Sequence, residues 1–183
     1  LGFDTQSYNA LEVMTEDVLR NAEIEGMLLN PNHVRSSVAR HLGLDCAGMP
    51  QADHYTEGVV QVLMDAVQHA PSPLTEERLF NWHAALFPTG RSGISPITVA
   101  AWRKGAEPML VVSGALGREQ VHYEAPPSER LTQEMAQFLQ WINSETSIDP
   151  VLKAAIAHVW FVNIHPFDDG NGRLTRTITD MLL

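Results

Sequence analysis

His165-Pro166-Phe167-Asp168-Asp169-Gly170-Asn171-Gly172-Arg173, with Arg176 three residues further on, sets an imidazole, a carboxylate, a glycine-flanked turn and two guanidinium groups in one short stretch. Glycine tolerates positive φ and lets a ligand come close to the backbone, and asparagine enters the left-handed region more easily than most residues. Gly170-Asn171-Gly172 therefore reads as a turn. After it, Leu174, Ile178, Met181 and Leu182 recur at helical spacing. The turn thus opens a helix, whose unpaired N–H groups and dipole favour an anion. Arg173 and Arg176 share one face of that first turn, where positive charge opposes the dipole. A bound polyphosphate would resolve the conflict, and a local rule broken at one identifiable place points to function.

Asp169 stands directly before the turn. A hard carboxylate beside a phosphate cradle suits Mg2+, which takes one or two protein carboxylates together with phosphate oxygens. Pro166 disfavours carrying a helix through His165, so the imidazole is expected at a helix end. Its ordinary pKa suits a general base at neutral pH. Phe167 is expected to point inward and anchor the loop. Neither G-x-x-x-x-G-K-[ST] nor G-x-G-x-x-G after a strand occurs, which disfavours P-loop and Rossmann readings.

The stretch resembles the signature of the Fic family, H-x-F-x-[D/E]-G-N-G-R-x-x-R, and every fixed position of that pattern is filled. The resemblance implies a mainly α-helical Fic-type bundle with a small β-hairpin flap. It also implies a protein adenylyltransferase, which moves AMP from ATP to a Ser, Thr or Tyr hydroxyl of a target protein. In that reading His165 accepts the hydroxyl proton and Asp169 holds Mg2+. The Gly170, Asn171 and Gly172 backbone binds phosphate oxygens, Asn171 orients the α-phosphate, and Arg173 and Arg176 clamp the β- and γ-phosphates. The partners expected are ATP and a hydroxyl-bearing protein, which could be a second copy of the chain, and a homodimer is allowed. Relatives on the same scaffold remove AMP or transfer phosphate or phosphocholine, and a non-enzymatic nucleotide-binding module is the remaining alternative.

Two further segments carry the resemblance. Met109–Ser113 and Glu119–Tyr123 are β-prone runs around Gly114-Ala115-Leu116-Gly117-Arg118 and read as a hairpin. In Fic proteins a flap here pairs with an extended target segment, which assigns Val111, Val112, Val121, His122 and Tyr123 to target docking. Upstream, Asn21-Ala22-Glu23-Ile24-Glu25-Gly26 is similar to the inhibitory pattern [S/T]-x-x-x-E-[G/N], with Asn21 departing at its first position. The pattern implies that Glu25 pairs with Arg176 and blocks the γ-phosphate. Gly26, read as a residue inside the helix, suggests a packing requirement.

Of the 183 residues, 44% are hydrophobic, enough for one domain core with a helical extension. The division expected is an N-terminal helical region over 1–70 carrying the inhibitory helix and a catalytic core over 71–183, lacking helices at its C-terminal end. A net charge of −10 argues against direct nucleic-acid contact and against an anionic membrane surface. Cys46, the single cysteine, excludes an intrachain disulfide and reads as a small packed side chain. With no signal peptide and no long apolar run, a soluble cytoplasmic protein is expected.

Helices are predicted over 10–29, 34–42, 53–70, 75–87, 128–142 and 150–163, with Thr75 and Asp149 as N-caps. The last of these is apolar nearly all round and is therefore expected at the centre of the bundle. His83 and His158 are expected to satisfy buried hydrogen bonds, and Trp102, Trp141 and Trp160 to anchor the core. His122 is expected to be structural or target-facing.

Overall fold

A computed structural model describes residues 2–105, 109–113 and 120–183. It is mainly α-helical. The helices are α1 (Gly2–Ile24), α2 (Pro31–His41), α3 (His54–Gln68), α4 (Glu76–Leu86), α5 (Leu131–Ser144), α6 (Pro150–Ile164) and α7 (Asn171–Leu182). Two small antiparallel hairpins complete the fold: β1 (Arg91–Ser92) with β2 (Ser95–Pro96), and β3 (Leu110–Ser113) with β4 (Gln120–Glu124). No helix among the described residues is long and apolar enough to cross a membrane.

Local chemistry sets most boundaries. Asn30, Asp53, Thr75 and Asp149 accept backbone N–H bonds as N-caps, and Pro31 and Pro150 open their helices where no donor is needed. The first helix differs from expectation. It stops at Ile24, because Gly26 takes φ +71° and the Gly26 and Met27 N–H groups fold back onto the Glu23 and Ala22 carbonyls. Gly26 therefore terminates the helix rather than packing within it, and Glu25 stands on the exit turn.

Two apolar clusters fill the interior. The larger joins Leu79, Trp82 and Leu86 of α4 to Met135, Phe138, Phe161, Phe167, Leu174 and Ile178. Trp102, Trp141 and Trp160 pack against its edge. The smaller cluster joins Leu11 and Val18 of α1 to Val34 and Val38 of α2 and Val60, Leu63 and Met64 of α3. Helix α3 serves both, since Val62 faces the larger cluster.

Helix α6 corrects the sequence expectation of a central helix. Ala154, Ala157, Phe161 and Ile164 are buried, but Val151, Leu152, Ile156 and Val159 are exposed. Hydrophobicity without a stripe says nothing of which side meets neighbours, and here α5 and α7 cover only part of the circumference.

Between α3 and α4, Asp65 Oδ2 accepts from Arg78 Nε at 2.8 Å and from Trp82 Nε1 at 2.7 Å. Burial raises the Asp65 pKa, yet these bonds outweigh it and hold the carboxyl below its ordinary value. A lowered folded pKa contributes stability that is full above the ordinary carboxylate range and is lost as pH falls through the folded value. Asp65→Asn should cost about 1–2 kcal/mol at neutral pH, a charged hydrogen bond discounted for partial exposure. In urea titrations the gap between variant and parent should close as the pH is taken into the acid range. A constant gap would refute the assignment.

Candidate active site

The loop between α6 and α7 is held from all sides by backbone chemistry. His165 ends α6 as its C-cap at φ 51°, ψ 58°, and its N–H still bonds to the Phe161 carbonyl at 3.1 Å. Phe167 is fully buried, stacked on His83 at 4.2 Å between ring centroids and tilted against Trp102 at 5.1 Å. Gly170 opens α7 at φ +84°.

His165 has a defined tautomer. Its Nδ1 lies 3.2 Å from the Val162 carbonyl, which can only accept, so Nδ1 donates there and in the neutral ring the lone pair falls to Nε2. The ring lines a small groove with Met109, Leu110, Tyr123, Ala125 and Val162. The histidine and the β3–β4 hairpin therefore meet in one place.

The charged residues lie beside a different space. A cavity of about 650 Å³ is lined by Asp169, Arg173, Glu25, Tyr55, Phe87 and Ser92, among others. Arg173 stacks over the Phe87 ring at 4.6 Å, donates from Nη1 to the Tyr55 hydroxyl at 3.1 Å, and reaches Asp169 Oδ2 at 4.0 Å. Burial raises the Tyr55 pKa, against the pull of Arg173. The Tyr55 hydroxyl itself donates to Met27 Sδ. The Nε atoms of Arg173 and Arg176 are buried without a hydrogen-bond partner among the described residues. Two guanidinium donors left unsatisfied at one helix N-terminus call for an anion.

Glu25 supplies an anion. Its Oε1 accepts from Arg176 Nη2 at 2.5 Å, with both side chains largely covered. The same oxygen would stand 2.9 Å from a Cβ on Gly172, so the carboxylate rests directly on the first turn of α7. Asn21, the departure from the inhibitory pattern, lies one helical turn earlier on α1 and borders a narrow apolar cleft with Arg173.

Asn171 also has a structural role in the loop. It is 2% exposed, its Oδ1 accepts from the Phe167 N–H at 3.0 Å and its Nδ2 donates to the Phe167 carbonyl at 2.8 Å. The amide thus closes the loop onto both backbone groups of Phe167. His122 and Tyr123 are likewise engaged: His122 Nε2 pairs with Ser113 Oγ at 2.5 Å, and Tyr123 donates to the Asn163 carbonyl at 2.9 Å. Val111 pairs with Tyr123 and Val112 with Val121, with a bulge between the two pairs. The turn expected at 114–118 lies outside the described residues.

The donor set can be tested against Mg2+. Asp169 Oδ1 accepts from the Gly170 N–H at 2.6 Å and Oδ2 from Ser92 Oγ, leaving a partly exposed carboxylate at the cavity wall. Among the described residues no cluster of three or more His, Cys, Asp or Glu side chains could hold a metal alone. A single hard carboxylate fits an ion that arrives with phosphate oxygens.

Several site residues escaped the sequence reading. Tyr55 on α3 and Phe87 just past α4 meet Arg173, Ser92 on β1 meets Asp169, and Asp168 Oδ2 within the loop accepts from the Thr98 N–H at 2.8 Å. His83 was expected to satisfy a buried bond, and it does: Nε2 donates to the Asp169 carbonyl at 3.1 Å and Nδ1 accepts from the Ala100 N–H at 3.3 Å. Burial lowers its pKa and keeps it neutral, as that arrangement requires. His158 Nδ1 pairs with Thr179 Oγ1 at 3.0 Å.

Gly170 is the tightest point. A Cβ there would meet Phe87 Cε2 at 2.7 Å, and φ +84° disfavours any L side chain. Gly170→Ala should cost about 1–2 kcal/mol in strain alone. The midpoint of thermal unfolding should fall, because the Phe87 ring under Arg173 must also move; an unchanged midpoint would contradict this close approach.

The Fic/DOC family model matches residues 73–183, and a domain of unknown function (DUF4172) matches residues 1–44. The protein adenylyltransferase Fic of Drosophila ananassae is 42% identical over 78 residues, spanning 40% of this chain and 16% of the fly protein. The protein adenylyltransferase fic-1 of Caenorhabditis elegans is 39% identical over 57 residues, 30% of this chain and 11% of the relative. The matches thus span less than a fifth of these curated relatives' length. A Fic domain containing signaling protein from Bacteroides thetaiotaomicron superposes with TM-score 0.62 at 19% identity, over 98% of this chain and 71% of that one. A Fic family protein from Desulfovibrio desulfuricans gives TM-score 0.56 at 21% identity, over 96% and 47%. At these identities the structures speak for the fold alone.

Proposed function

This chain belongs to the Fic/DOC family, and from that premise we propose that it transfers AMP from ATP to a Ser, Thr or Tyr hydroxyl of a protein and is held in check by Glu25. One observation carries the reading. A single short loop joins a histidine whose Nε2 has no hydrogen-bond partner among the described residues to a helix N-terminus bearing two arginines whose Nε atoms are likewise unpaired among them. The resemblance of two curated relatives named protein adenylyltransferase supports the choice of nucleotidyl transfer.

The hydroxyl oxygen attacks the α-phosphorus of ATP, the bond from that phosphorus to the β-phosphate bridging oxygen breaks, and pyrophosphate leaves. His165 Nε2 takes the hydroxyl proton. The N–H groups at Gly170–Gly172 and the α7 dipole stabilise charge on the phosphate oxygens, and Arg173 and Arg176 hold the outer phosphates. Asp169 would hold Mg2+ beside the nucleotide, and the ion would supply charge that neutralises the phosphates. Asn171 acts through the shape of the loop rather than through its amide.

The target's extended segment adds to the β3–β4 hairpin, where Val121 and its neighbours on β4 are exposed. Main-chain pairing sets register there, since the polar ends of His122 and Tyr123 already have partners. Glu25 occupies the anion seat and excludes the γ-phosphate. Intact-protein mass spectrometry after incubation with ATP and Mg2+ tests the whole reading. Addition of AMP mass is expected, more in Glu25→Gly than in wild type. Added phosphate mass, or ATP binding with no transfer to self or to candidate proteins, would overturn it.

A further inference from the structure

Arg103 is 3% exposed, yet its guanidinium is taken up by backbone carbonyls. Nε donates to the His165 carbonyl at 2.7 Å and Nη2 to the Pro126 carbonyl at 2.5 Å, while its own N–H bonds to the Pro166 carbonyl at 2.9 Å. Burial pulls its pKa down, opposed by the nearby Asp168 charge. Removing a cation from water costs several kcal/mol, and neutral donors would serve two carbonyls more cheaply. A costly group at an identifiable place again points to function.

The two carbonyls belong to the two elements that must cooperate. One is the carbonyl of the histidine that takes the proton. The other lies two residues past the end of β4, where the hairpin leaves for α5. A second tie runs in parallel, from the Tyr123 hydroxyl on β4 to the Asn163 carbonyl on α6. His165 sits between these ties in the left-handed region, which costs a non-glycine residue about 1–2 kcal/mol and persists only where its surroundings over-determine it. The guanidinium fork is planar and rigid, so a shift of the hairpin exit is passed to the His165 carbonyl rather than absorbed.

We propose that Arg103 is a positioning residue that couples the β3–β4 hairpin to His165, so that a protein segment docked on the hairpin sets the orientation of the imidazole. This rests on the roles given above to His165 and the hairpin. Arg103→Lys keeps the charge but loses the fork.

The decisive experiment uses histidine labelled with 13C and 15N to read the His165 ring by NMR, alongside self-modification in the Glu25→Gly parent. In the parent, the neutral His165 ring should be protonated at Nδ1. In Arg103→Lys the other tautomer should appear, and the transfer rate at saturating ATP should fall about tenfold or more, as misplacement by ~1 Å can cost a hundredfold. The ATP concentration for half-maximal rate should stay within about twofold, since Arg103 does not line the phosphate cavity. Unchanged His165 signals would overturn the proposal, as would a loss of ATP affinity and thermal stability in step with rate. Should Arg103→Lys fail to fold, Tyr123→Phe removes the parallel tie and must shift the same signals; no shift there is equally fatal. A parent that transfers no AMP would count against the proposed function, while the His165 signals would still decide the role of Arg103.

Discussion

His165→Ala, made in the Glu25→Gly parent, should abolish AMP transfer while leaving ATP binding within about twofold of the parent. A positioned general base contributes about 10²–10⁴ in rate. The structure gives both halves of this expectation a basis. Nδ1 is committed to the Val162 carbonyl, so Nε2 is the ring's remaining basic atom. The ring lines the groove under the β3–β4 hairpin, whereas Asp169 and Arg173 line the larger cavity. Removing the imidazole therefore takes nothing from the outer phosphates. His165→Asn is the sharper control, since its amide can still donate to the Val162 carbonyl but cannot serve as the base. Intact-mass time courses and ATP titrations of the three proteins decide the matter. Transfer by either variant at the parent rate would remove His165 from the role of base.

Glu25→Gly should raise AMP incorporation by about tenfold or more over wild type, equivalent to roughly 1.4 kcal/mol in the competition for the seat. The pair is mostly covered, with side chains 19% exposed for Arg176 and 32% for Glu25, so solvent screens it less than an ordinary surface pair. Glu25 gains twice, from the guanidinium and from the first turn of α7, against which its carboxylate rests. A γ-phosphate needs the same two features. Glu25→Gln separates charge from bulk: it keeps an acceptor for Arg176 but loses the ionic attraction, and an intermediate gain is expected. Raising ionic strength should narrow the gap between wild type and Glu25→Gly, because the charge pair is weakened in the wild type alone. Equal incorporation in wild type and Glu25→Gly would remove inhibition by this residue from the account.

The helical architecture could be read from the chain because its signals are local. Asn30-Pro31, Asp53, Thr75 and Asp149-Pro150 start helices by satisfying N–H groups a few residues away. Gly170 opens α7 without a side-chain cap, its positive φ supplying the turn. The loop chemistry was legible too, since the imidazole, the carboxylate, the glycines and both arginines lie within 165–176. The β1–β2 hairpin escaped because two-residue strands leave no periodicity to detect.

Other features depended on what folding brings from elsewhere. Gly26 read as a residue within a helix until its positive φ ended α1 and turned Glu25 toward Arg176, 151 residues away in sequence. Asn171 shows in sequence only as part of a turn, and the bonding of its amide to Phe167 appears only in the fold. The apolar residues of α6 promised a central helix, but packing by α5 and α7 on part of its circumference left Val151, Leu152, Ile156 and Val159 exposed. Tyr55, Ser92 and Arg103 carry no motif at all, and their importance comes from reaching Arg173, Asp169 and the His165 carbonyl across the fold. Capping, turn formation and dipole effects act over a few residues, so the helices, the glycine turn and the inventory of reactive groups were legible in the chain alone. Only the tertiary structure decided which groups face the cavity, which are consumed in closing the loop, and which buried cation ties the histidine to the hairpin, because burial and hydrogen-bond partnership are properties of neighbours distant in the chain.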